Sequence, residues 1–147
     1  MPRLNSRSTI NSLVTLVLIA GACRHTTVLP EPVPPEERFA REFIRVLQDS
    51  GSVAILPLTT PKTRALRNFA RNMDVLRGEL AASHTTLTLA RWNAIPPKGD
   101  VPKLIHIVYT VQRADGPSEL ALWIEEASGH YLLNTISIGP PNPDSAR

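Results

Sequence analysis

The chain has 147 residues and a mass of 16.1 kDa, which is room for one domain. Hydrophobic residues make up 42% and charged residues 20%, which excludes a chain disordered throughout. The pI near 9.5 points first to nucleic acid. Two of the 16 Lys and Arg residues, Arg3 and Arg7, fall in the first 22 positions and leave 14 against 13 acidic side chains. A net charge near +1 beyond position 22 gives no electrostatic reason to expect a polyanionic partner, so no nucleic acid is expected.

The N-terminus has the layout of a signal peptide. Arg3 and Arg7 precede an uncharged apolar run from Ile10 to Ala20. That run is about half of the ~20 residues a helix needs to cross a bilayer. Ala20-Gly21-Ala22 then places small side chains before Cys23, the only cysteine, which also rules out an internal disulfide. These residues resemble the lipoprotein box of bacterial envelope proteins. The resemblance implies a signal peptide over 1–22 and a lipid on Cys23. It implies a mature protein held to the cell envelope, on the periplasmic face of a membrane in a Gram-negative host. Ala20 stands where that box usually carries leucine. The same residues suit the ordinary signal peptidase, which would release a soluble secreted protein. Residues 23–35 follow as a tether: Pro30, Pro32, Pro34 and Pro35 favour an extended, semi-rigid chain.

A domain is expected over 36–139. Phe39, Phe43, Val46 and Leu47 recur at helical spacing, with Ile44 beside them and Glu36 and Glu37 in the first turn. Gly51 is the expected stop. The run from Val53 to Leu58 leads to Thr59-Thr60-Pro61, a hydroxyl cap followed by proline at the first helical position. A second helix is expected from Pro61 to Leu76, with Leu66, Phe69, Ala70, Met73 and Leu76 as its stripe and Gly78 ending it. Lys62, Arg64, Arg67, Arg71 and Arg77 make the densest basic patch. It is either a solvated helix face or a contact for lipid headgroups or an acidic partner.

From Thr85 the period changes to two. Thr86 to Trp92 alternates as a strand, and 93–102 is a long turn. Lys103 to Arg113 is the clearest strand, with Ile105, Ile107, Tyr109 and Val111 on one face. Ser118 to Glu126 and His130 to Ile138 follow through two hairpins, and the prolines after Ile138 end the ordered chain, so 140–147 is expected to be a disordered tail. Helices followed by hairpin-linked strands make an α+β class, with helices packed on one face of a curved antiparallel sheet. The helix end at Asp49-Ser50-Gly51, the Leu58-Thr59-Thr60-Pro61 entry and the Ser128-Gly129-His130-Tyr131 turn resemble the nuclear-transport-factor-two-like superfamily. This group includes ketosteroid-isomerase-like and SnoaL-like domains. The resemblance covers 39–138 and implies a cone-like fold, without assigning a function.

The chemistry-bearing residues are sparse. His25, His84, His106 and His130 form no metal-ligand spacing, so no metal is expected, and no phosphate loop, nucleophile elbow or HExxH motif points to a cofactor. That superfamily includes isomerases, cyclases and dehydratases that set Asp, Tyr or His inside the cone. The catalytic candidates here are Tyr109 and Asp49, with His106 and Tyr131 behind them. His106 alternates to the face opposite Tyr109. Leu104, Val108, Ala121 and Trp123 share the outer sheet face and form a candidate interface for a homodimer or an envelope protein. Two function classes follow. One is an envelope-anchored binding or scaffold domain of unknown ligand. The alternative is a small lipid-anchored enzyme of the isomerase or cyclase type.

Overall fold

The computed structural model describes residues 33–82 and 86–141. Cys23, the expected signal peptide, most of the tether (through residue 32) and the tail after Pro141 lie outside these residues. Within them, three helices pack on a four-stranded antiparallel sheet, an α+β arrangement.

The first helix, α1, spans Pro35–Ser50 with proline in its first turn, where the missing N–H costs no intrahelical bond. Its buried stripe is Glu37, Ala40, Ile44 and Leu47, widened by Phe43. Gly51 ends the helix at φ +83°, donating its N–H to Leu47 O at 3.0 Å. An added Cβ there would sit 3.3 Å from the Arg77 guanidinium. Arg77 itself donates from Nε to Gln48 O at 2.9 Å, satisfying a carbonyl at the end of α1. The arginine expected in the solvated patch is thus a clasp between two helices.

The second helix departs from expectation. Thr60 caps Pro61–Arg64 (α2), accepting from Thr63 N at 3.2 Å, but the helix stops after one turn. A break over 65–68 follows, closed by three-residue bonds from Leu66 N to Thr63 O and from Phe69 N to Leu66 O. The next helix, α3, runs Phe69–Ala82 and passes through Gly78 rather than ending there. The cause is tertiary. Thr63 donates its hydroxyl to the carbonyl of Asn134, 71 residues away, and Thr60 N donates to Leu133 O at 2.9 Å. These contacts pin α2 to the sheet edge. The chain must then turn before Phe69, Met73, Leu76 and Leu80 can face the core, and Leu66 is left 61% exposed.

The strands are β1 (Leu87–Ile95), β2 (Lys103–Arg113), β3 (Gly116–Ala127) and β4 (His130–Gly139), paired in that order. The β3–β4 hairpin turns on Ser128 and Gly129, both at positive φ (53° and 77°), the sign that matches the strand twist. A bulge at Ala90 shifts the β1 register, so Leu89 pairs with Tyr109 and Trp92 with Ile107 on the same face. Strict alternation would have put those two side chains, three residues apart, on opposite faces; the inserted residue brings them to the same one. The core joins Phe43, Leu47, Ile55, Phe69 and Leu80 to Ile105, Ile107, Tyr109, Leu120, Leu122, Ile124 and Leu133, all 5% exposed or less. Burial of each large apolar side chain contributes about 1.5–3 kcal/mol. The helices pack chiefly on β2, β3 and β4, and β1 extends past them with Trp92 46% exposed.

Candidate functional site

The helix-facing side of β2 carries the one buried side-chain polar atom among the described residues that lacks a hydrogen bond, the hydroxyl of Tyr109. Tyr109 is fully buried beneath α1. Arg41, on the helix, sits with its guanidinium carbon 5.4 Å from the ring centroid, within cation–π range. One turn earlier, Glu37 accepts from Arg41 Nε at 2.9 Å and Nη2 at 2.7 Å, both through Oε1. Burial pushes the Tyr109 hydroxyl up to about 12, with Arg41 opposing that rise and Glu37 adding to it. The phenol therefore stays protonated at neutral pH, and the carboxylate beside it is engaged by its own arginine.

Of the sequence candidates, only Tyr109 lies in this cluster. Asp49 pairs with Arg45 at 3.1 Å, with both side chains well exposed. It is on the solvent side of α1 and does not share a site with Tyr109. Tyr131 lies on the helix-facing side of β4, 6.0 Å from the ring of Phe39, and burial pushes its hydroxyl up. Glu37 and Arg41 were missed as site residues. The signal for Glu37 was its place at helical spacing with Ala40, Ile44 and Leu47, which turns a first-turn carboxylate toward the sheet.

On the outer face, His106 and Trp123 stack at 4.1 Å with their planes 9° apart. Burial, and then the charge of Arg91, lower the affinity of His106 for a proton. Arg91 of β1 and Glu119 of β3 meet at 2.8 Å, bridging over β2 between them. Val108, beneath that bridge, has no exposed surface, and Leu104, Ala121 and Trp123 are half-buried. The four expected interface residues are thus together on one face, and the cover over its centre comes from the protein's own side chains.

Hollows occur at the periphery. Two adjoin along the line where α3 faces β4, of about 120 and 110 Å³, sharing Asn72, Met73 and Ile136. A shallower one of about 400 Å³ lies at the β1–β2 turn between Pro97 and Lys103. Among the described residues, no group of three or more His, Cys, Asp or Glu side chains is placed to hold a metal ion. No helix among them is long and apolar enough to cross a membrane. Compared with protein-family models and with curated proteins, the chain matches none.

Proposed function

We propose that the protein is a binding or scaffold module of the cell envelope, held by lipid on Cys23 through the proline-rich tether over 23–35, and built as a nuclear-transport-factor-two-like domain. The observation that carries the binding role is the filled interior. Where an isomerase-type enzyme needs a solvated hollow between helices and sheet, Phe43, Leu47, Ile105, Ile107, Leu120 and Leu122 meet with no exposure. Contacts with other molecules then belong to the periphery. The order of helices before an antiparallel meander supports the family reading, and the single cysteine behind small residues supports the anchor.

The alternative, acid–base catalysis, draws on the unbonded Tyr109 hydroxyl with Glu37 nearby. It is the weaker of the two, because Tyr109 is fully buried and Glu37 is bound by Arg41. A homodimer through Leu104, Val108, Ala121 and Trp123 draws on the shared outer face. The Arg91–Glu119 bridge and the His106–Trp123 stack already cover much of it.

Methyl-resolved NMR of the whole chain, titrated with a set of small ring compounds, tests the filled interior. The methyls of Ile105, Ile107, Leu120 and Leu122 should remain unshifted. Saturable shifts at those methyls would contradict the binding-module account and favour an enzyme.

A further inference from the structure

The groove between α3 and β4 differs from the other hollows in having an open sheet edge along one wall. β4 is the last strand of the sheet. Its outer edge is covered at Leu133 by Thr59 and Thr60, which form a parallel bridge and a backbone hydrogen bond, and at Asn134 by Thr63. At Pro61 the chain enters α2 and leaves the sheet. Among the described residues no further strand pairs with β4 from Thr135 to Ile138. Ile136, Ser137 and Ile138 line the hollow beneath α3 instead, facing Met73 and Leu76. An edge strand beside an apolar helix wall is the geometry that takes an extended peptide as an added strand: the backbone supplies affinity, and alternate side chains enter the apolar groove.

The charge flanking one end, on residues that do not themselves line the hollow, bears on the chemistry of the occupant. Leu66 lines the hollow beside Asn134 and Thr135. Around it in the chain, Lys62, Arg64, Arg67 and Arg71 are exposed and make no ion pair among the described residues. At the other end Arg113 is already engaged, by Glu79 at 3.3 Å and by Asp115 at 3.4 Å. We propose that this groove binds an extended segment of a partner protein, added beside β4 as a fifth strand, with alternating apolar side chains toward Met73 and Ile136 and acidic residues at the arginine end. The two hollows, each too small for a drug-sized molecule, suit single aliphatic side chains. The proposal rests on the binding-module reading and names its partner chemistry. Anionic lipid would use the same arginines but would leave the strand edge without a role.

The test is an NMR titration of the whole chain with a synthetic pool of heptapeptides, each beginning with two glutamates and continuing with alternating valine and threonine or leucine and serine. The expected result is saturable shifts at the amides of Thr135 to Ile138 and the methyls of Leu66 and Val75. Binding should weaken about tenfold or more when lysines replace the glutamates, and likewise in Arg67→Glu/Arg71→Glu. Backbone N-methylation of the peptides should abolish it. Val75→Glu, at an exposed groove position, should weaken it without unfolding the chain. Equal binding of the acidic and basic pools, or silent Thr135 to Ile138 amides, would overturn the proposal. So would arginine-dependent binding to phosphatidylglycerol vesicles with no peptide binding. Core methyls that shift in the same spectra would instead indict the binding-module reading, so the two failures are separable.

Discussion

Two glycines of the helical layer illustrate how far a side chain's absence matters. Gly51 adopts a backbone conformation that a side chain rarely enters, and a Cβ would press on Arg77. Gly78 lies inside α3, exposed, with nothing within 4 Å of an added Cβ. Gly78→Ala is therefore expected to raise stability by about 0.5–1 kcal/mol, by helix propensity alone. Gly51→Ala is expected to lower it by more than about 1 kcal/mol. Urea denaturation of both variants checks the pair, and equal effects would place the end of α1 wrongly. Tyr109 offers a second test at this scale. Its proton is held to about 12 by burial, against an ordinary value of 10. A raised value means that the contribution to stability is complete below about pH 10 and is lost as pH rises through 10 toward 12. Tyr109→Phe removes that loss. It also removes a buried hydroxyl that has no partner, so stability at neutral pH should stay level or rise by about 1 kcal/mol. Ultraviolet titration of the phenolate reads the ionisation directly. A Tyr109 signal changing near pH 10 would show a solvated, accessible phenol.

Among the elements, α1 and the strands β2, β3 and β4 were readable from periodicity, because apolar residues recur on the face that packs against the core. The same alternation correctly set His106 opposite Tyr109 and put Ile105, Ile107 and Val111 in the core. The division of the second helix was not readable. Arg64 to Phe69 has ordinary helix formers, and the break is imposed by Thr63 on a strand 71 residues later. The extension of β1 to Ile95 was likewise hidden, since the bulge at Ala90 is set by pairing with β2 and not by local composition. At the candidate site the strand half, Tyr109, was legible, whereas its neighbours on α1 depended on the helix phase at Glu37. Thr63 gives the element-scale prediction. Thr63→Val leaves the Asn134 carbonyl without its donor in a part-buried site, which should cost about 1–3 kcal/mol. Hydrogen exchange should rise first at α2 and at Leu66. If protection is lost evenly across the domain instead, α2 is not docked as an independent clasp.

On the scale of the whole molecule, the proposed lipid anchor would give a domain with a closed core and a groove at its edge its biological setting. A lipid on Cys23 and the prolines between Pro30 and Pro35 would hold the groove a short distance from a membrane, where a partner's extended segment is met at high local concentration. Every part of that setting depends on the chemistry of one cysteine. Expression of the whole chain in a bacterium fed an alkyne fatty acid, followed by intact mass measurement, tests it most directly. The account predicts a labelled protein in the membrane fraction that begins at Cys23 and carries diacylglycerol, with label and membrane retention both lost in Cys23→Ala. An unlabelled, soluble chain beginning at Cys23 would contradict it.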